Sequence, residues 1–206
     1  LKELAINPML LSLIVIVQFV RKVIPDKRHV LYEECVKILI ERRLADPKTQ
    51  ALYDKEMSSE DASVILREVA LYMHKRKVKE IPRSDLEKII IPKIADDLKM
   101  DSVKLTGKAV LKNIEARSQL LSEKGFDEWN RLVMAFSHLT FQEYLASVAF
   151  MAMAGEGGAK IASESILGLH LSDPDWWEEV ALLYGAQLEG RERVRFAELL
   201  SQRQLA

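Results

Sequence analysis

A mainly α-helical fold carrying one small β-hairpin is predicted by three features of the sequence. Apolar residues recur at spacings of three and four along most of the chain, the period of a helix buried along one face. Between residues 119 and 136 the texture changes to two short apolar runs, Gln119 to Glu123 and Arg131 to Phe136, joined by the turn-rich Lys124-Gly125-Phe126-Asp127. Three helical segments precede that hairpin, which is the element order of a winged helix. The sequence thus divides into a small helical subdomain (residues 1–50), a winged-helix domain of three helices and a hairpin (58–137), and a helical array (138–206).

The first helix is predicted from Pro8, whose missing N–H suits a first turn, to Val20. It is the most apolar stretch, yet shorter than the about 20 apolar residues of a membrane span. It contains Ser12 and Gln18, ends at Arg21-Lys22 and lacks the basic lead and cleavage site of a signal peptide, so a buried core helix is expected. The chain opens at Leu1 rather than Met, and further sequence is expected to precede it. Ile24-Pro25-Asp26 breaks the chain. Residues 28–44 then place Val30, Leu31, Cys35, Ile38, Leu39 and the stem of Arg42 on one face, up to the stop at Asp46-Pro47.

After a polar connector (48–57), Ser58-Ser59-Glu60-Asp61 supplies hydroxyl caps and acidic first-turn residues to a new helix. Its predicted stripe is Ala62, Ile65, Leu66, Val69, Tyr72 and Met73. Ser84 or Asp85 caps a helix over 86–99, with a kink or break near Ile91 imposed by Pro92. Residues 101–117 form the third helix, with Leu105, Ala109, Val110, Leu111 and Ile114 inward. Beyond the hairpin, helices are predicted over 139–153, 159–167, 175–188 and 191–202, with a loop at the glycine cluster before residue 159.

A net charge of -1, from 30 Lys and Arg against 31 Asp and Glu, marks neither nucleic acid nor an anionic membrane as partner. The single cysteine, Cys35, excludes an internal disulfide and a cysteine-built zinc site, and the four histidines form no HExxH pair. Thr106-Gly107-Lys108 approaches a phosphate-binding loop. It lacks the earlier glycine and the Ser/Thr after the lysine and lies in a predicted helix, so it is set aside. Cys35 is expected to be a buried structural thiol rather than a nucleophile paired with His29. Glu33-Glu34 and Asp96-Asp97 read as solvated faces, because neighbours on a helix diverge.

The winged-helix order raises DNA recognition through Lys104, Lys108, Lys112 and Arg117, with Lys124 and Arg131 on the wing. Residues 58–118 hold 13 Lys and Arg against 10 Asp and Glu, a net of +3 and a weak footprint for that role. Nucleic acid is therefore not the expected partner. A winged-helix DNA-binding regulator with an all-helical effector domain remains the alternative reading. Trp176-Trp177 is expected as a buried pair against Val180 and Leu183 rather than an exposed hot spot.

The most informative string is Phe136-Ser137-His138-Leu139-Thr140-Phe141-Gln142-Glu143-Tyr144-Leu145-Ala146. On spacing alone His138 caps the helix starting at Leu139, and Phe136, Phe141 and Tyr144 are core. The same place, a strand-to-helix junction beside unsatisfied backbone N–H groups, also suits a histidine that meets an anion. The string resembles the F-x-H-x-[TS]-F-Q-E-[YF]-x-A signature of NACHT-type signal-transduction NTPases. Three more pieces agree in order. Leu4-Ala5-Ile6-Asn7-Pro8-Met9-Leu10-Leu11 is similar to that family's L-A-x-N-P-L-L-L, and Leu31-Tyr32-Glu33-Glu34-Cys35-Val36 through Glu41-Arg42-Arg43 to its L-Y-E-x-C-V…E-R helix. Arg117-Ser118-Gln119-Leu120-Leu121 is similar to its R-S-G-L-L, with Gln119 where glycine is usual.

The resemblance, spanning residues 1–188, implies the second half of such a module, with the nucleotide-binding core, its Walker motifs and its Mg²⁺ ligands upstream. By position, Pro8 would pack against the adenine of ADP or ATP, and His138 would reach the β-phosphate of ADP in the resting form. Neither residue performs hydrolysis, so the implied role is regulatory: no catalysis by this part, no metal site, and ADP or ATP shared with the upstream core rather than bound by this part alone. The implied partners are that core and, on activation, further copies of the parent. A cytoplasmic location without a membrane partner is expected, in signal transduction serving innate or antiphage defence.

Overall fold

A computed structural model describes residues 8–44, 57–100, 106–154 and 158–204. Pro8 opens helix α1 (Pro8–Arg21), which buries Ile14 and Val17 alongside α2 (Arg28–Leu44). The expectation of an enclosed α1 is corrected: Leu11, Val15 and Phe19 stay exposed along the opposite stripe, because among the described residues only one face of the helix meets the core. Helix α2 turns Leu31, Tyr32, Cys35, Val36, Ile38 and Ile40 inward, with Val30 and Leu39 only half-buried. The Arg42 stem lies outside the described side chains.

Helix α3 (Ser59–Lys75) starts where its capping residues place it. The Ser58 hydroxyl accepts from the Asp61 amide at 2.9 Å, and the Asp61 carboxylate accepts from the Ser58 amide at 3.1 Å. Its buried stripe holds five of the six expected residues. Tyr72 is half-buried instead, under the Arg76 guanidinium, and Leu71 and His74 turn inward.

A short strand β1 (Glu80–Pro82) follows, where the sequence predicts no element. It pairs antiparallel with β3 (Leu132–Phe136), whose other edge carries β2 (Leu121–Phe126), giving the order β1-β3-β2. Pro82 is tolerated because β1 is an edge strand. After one helical turn, Arg83–Asp85, the backbone widens into a π turn over Leu86–Ile90 and continues as α4 (Ile91–Asp97). The break expected at Pro92 thus takes the form of an inserted residue, with the Ile91 amide reaching back to the Leu86 carbonyl.

Helix α5 (Gly107–Ser118) is capped by Thr106, whose hydroxyl accepts from the Ala109 amide. The earlier start predicted at Asp101 falls outside the described residues. Arg117, proposed for DNA contact, is buried at 3% exposure and donates to Asn113, Ser59 and the Met57 carbonyl. Glu115 is held by Arg83, which also binds Glu87 and Glu123 and so ties the wing to α5. Gln119 ends α5 at φ 52, the left-handed conformation that favours glycine. Gln119→Gly is expected to raise the unfolding free energy by about 0.5–1 kcal/mol, read as a higher urea midpoint at unchanged m-value.

Strand β2 starts two residues later than predicted and takes in Lys124, Gly125 and Phe126 of the expected turn, with a bulge between Glu123 and Gly125. Its tip is held by Asp127, whose carboxylate accepts from the Trp129 and Arg131 amides. Helix α6 (Leu139–Ala154) then belongs to two cores. Phe141, Tyr144 and Leu145 pack with Tyr32 and the winged helix; Ala146, Ala149 and Phe150 pack with α7 (Ala159–Ser172), α8 (Pro174–Gln187) and α9 (Gly190–Gln204). No helix among the described residues is long and apolar enough to cross a membrane.

Candidate functional site

The sheet's central strand delivers the chain to His138, and the structure gives that residue the capping role its position suggests. Nδ1 accepts from the Thr140 amide at 3.2 Å and lies 2.8 Å from the Thr140 hydroxyl, while the His138 carbonyl accepts from the Phe141 amide. An imidazole nitrogen that accepts a backbone N–H carries no proton, so the neutral ring holds its hydrogen on Nε2. The tautomer is therefore set by the helix end.

The half-buried ring also lines an open cleft of about 230 Å³. Lys79, from the turn between α3 and β1, and Lys124, from the wing, supply positive charge to that cleft; Glu80, Ser137 and Gln142 share its wall. Two ammonium groups and an imidazole N–H, beside the first turn of α6, suit an oxyanion such as a phosphate group, and Glu80 is the one carboxylate opposing it. Pro8, the other expected site residue, begins α1, and its side chain lies outside the described residues. No group of three metal-ligating side chains exists among the described residues.

Behind the cleft lies a buried polar junction that sequence reasoning missed. His74 is fully buried, stacked on Trp176 at 4.6 Å between ring centroids and edge-on to Trp177 at 4.6 Å. Its Nε2 donates to the Trp176 carbonyl at 3.1 Å, and Trp176 Nε1 donates to the His74 carbonyl at 2.9 Å. Trp177 is thus buried as expected, whereas Trp176 is only half-buried, because its ring is used to cover His74. Gln142, 1% exposed, donates to the Val78 carbonyl at 3.1 Å. Nothing local in the sequence marks His74, whose partner is 102 residues away.

Nearby, Arg28 pairs with Glu179 at 2.6 Å, linking α2 to α8, and Glu143 sits close to both. Burial pushes the Cys35 thiol up to about 12, so it is an unreactive core group. Burial likewise holds His74 down at about 4, while burial and the Glu179 carboxylate lift Glu143 to about 7, with Arg28 and Lys79 opposing.

These two groups act on stability in opposite senses. Between pH 4 and 6.5 the unfolded chain binds more protons at His74, so stability rises with pH by up to about 1.4 kcal/mol per unit. Between pH 4.5 and 7 the folded chain binds more at Glu143, so stability falls with rising pH at a similar rate. The slopes offset each other in the parent chain. Glu143→Gln is expected to lose stability steeply on acidification from pH 6.5 to 4.5, and His74→Gln to gain it from pH 7 to 4.5. Urea unfolding across this range checks both, and flat profiles in the two variants would contradict the assignment.

A family model described as the winged helix-turn-helix domain C-terminal to NACHT matches residues 28–150, more than half of the chain. The match takes in α2, all three strands and the whole of the His138 cleft. No curated protein and no solved structure matches the chain.

Proposed function

This chain belongs to the family of winged helix-turn-helix domains that lie C-terminal to NACHT, and from that premise we propose that it is the regulatory, nucleotide-state-sensing part of a NACHT-type NTPase. The observation that carries the reading is the fixed His138 tautomer in an open cleft with two lysines. His138 holds a proton at Nε2 and offers it to the β-phosphate of ADP, while Lys79 and Lys124 add positive charge. The nucleotide, when bound, supplies the negative charge that these groups meet. Pro8 packs against the adenine, and the NACHT core provides the remaining contacts and any hydrolysis. The chain itself catalyses nothing.

Because His138 caps α6, which then enters both cores, a contact at the first turn of α6 is felt by the winged helix and the helical array together. The latch favours the closed form only through stronger contact there than in the open form. Its release exposes a face for assembly with further copies, in a cytoplasmic signalling role.

The test places His138→Ala in a protein containing both the NACHT core and this domain. Loss of a hydrogen bond to a charged group, about 1.5–3 kcal/mol, is expected to speed ADP release by about 10- to 100-fold and to raise spontaneous assembly. Unchanged ADP retention together with unchanged assembly removes His138 from the mechanism.

A further inference from the structure

We propose that Lys79 is a second phosphate-contacting residue of the His138 cleft and that helix α8 sets its position through Trp176, so that anion binding and docking of the helical array are coupled. This rests on the phosphate-facing role proposed for His138 and adds a ligand contact and a regulator to it.

Lys79 sits in the turn between α3 and β1, and α8 grips that turn at three places. Lys77 pairs with Asp173 at 2.6 Å. His74, just before the turn, stacks on Trp176 and exchanges two hydrogen bonds with it. The Lys79 ammonium itself lies 6.0 Å from the centroid of a Trp176 ring, within cation–π range. From the other side Gln142, which shares the cleft wall with His138, holds the Val78 carbonyl. Lys77 and Lys79 through their side chains, and Val78 through its carbonyl, are therefore tied to the start of α8 or to α6.

The ammonium at the end of this anchored turn lines the cleft and has no carboxylate within ion-pair distance among the described residues. Glu143, whose carboxyl feels the Lys79 charge, is lifted to about 7 chiefly by burial and so competes weakly for it near neutral pH. The diphosphate of a nucleoside diphosphate carries more than one negative charge. It matches two ammonium groups flanking an imidazole N–H better than a single carboxylate does.

A contact shared in this way is reciprocal. If α8 holds Lys79 in place for the anion, the anion must hold α8 in place by the same factor. The array then has a direct physical handle on phosphate affinity.

The 206-residue chain is titrated with inorganic pyrophosphate while the histidine-ring NMR resonances are followed, and hydrogen exchange of the Trp176 and Trp177 amides is measured with and without it. Binding should shift the His138 ring. Lys79→Gln should weaken binding by about tenfold, and Trp176→Leu and Lys77→Gln by about threefold each. Pyrophosphate should slow exchange in α8 of the parent chain and not in Lys79→Gln. Should Trp176→Leu fail a thermal-melt check for folding, the exposed Lys77→Gln carries that arm. Unchanged affinity in Lys79→Gln alongside loss in His138→Gln overturns the proposal and leaves His138 its role. Weakened binding in Lys79→Gln with no change in α8 exchange in the parent overturns the coupling. Absence of binding at millimolar pyrophosphate overturns this proposal alone, since the reading it rests on has the nucleotide shared with the upstream core. Binding that survives His138→Gln overturns both.

Discussion

Replacing Trp177 by alanine is expected to lower the unfolding free energy by about 3–5 kcal/mol. The side chain is 1% exposed, edge-on to Phe150 at 6.3 Å and to His74 at 4.6 Å, and it stands where α8 meets α3 and α6. Truncation deletes an indole from a core that cannot collapse, since the surrounding Val180, Ala181 and Tyr184 are themselves fixed by α7 and α9. It also strips one wall from His74, leaving a buried imidazole beside a void. For a chain whose total stability is of order 5–15 kcal/mol, this is about a fifth of the whole or more. Urea unfolding followed by far-UV circular dichroism checks the size, and the same curves show which part gives way. A loss below about 1 kcal/mol would mean that the second core does not unfold with the first. Trp177→Phe, which keeps an aromatic edge toward His74, should recover more than half of the loss.

What the sequence makes legible follows the range of the forces involved. The hydroxyl cap and acidic first turn at Ser58 to Asp61 and five of the six residues of the α3 stripe are legible in the sequence, because a helix needs nothing distant to declare its start and most of its inner face; Tyr72 is the exception. The disturbance at Pro92 is also legible, since a missing N–H beyond the first turn of a helix removes a helical bond. Its form as a π turn was not readable, because that depends on how Leu86, Ile90 and Ile91 all reach the core at once. Strand β1 escaped notice because three residues, one of them proline, carry no period. The place of His138 at a strand-to-helix junction was visible from the chain alone. Its neighbours in the cleft were not, because Lys79 and Lys124 arrive from a turn and a wing whose sequences are unremarkable solvent-facing lysines. The same limit hid His74, which reads as a polar interruption until Trp176 is brought against it.

Gly107→Ala should cost about 3 kcal/mol, although the site is a helix start where alanine is ordinarily welcome. An added Cβ would lie 2.0 Å from the Glu87 carbonyl oxygen, 2.9 Å from its carbon and 3.1 Å from Pro92 Cδ. The obstruction is backbone and a proline ring, which cannot swing aside as a flexible side chain would. The cause goes back to the π turn. In its i to i+5 pattern the Glu87 carbonyl looks to residue 92 for a donor, and Pro92 has none to give. Glycine alone lets α5 come close enough to cover that carbonyl with a Cα–H. The glycine of Thr106-Gly107-Lys108 is thus kept for a close approach between helices, and none of the three residues lines the His138 cleft. Lys108→Ala, one exposed residue along, is the control and should change stability by less than about 0.5 kcal/mol. Urea unfolding of the two variants decides the matter: equal midpoints would overturn the account of the α5 contact. Where Gly107→Ala still folds, α5 must shift, and Glu115 moves with it away from Arg83, the side chain that also holds Glu123 of the wing. Pyrophosphate affinity at Lys124 and His138 should then fall in Gly107→Ala and stay unchanged in Lys108→Ala, which separates a displaced wing from a lost phosphate contact.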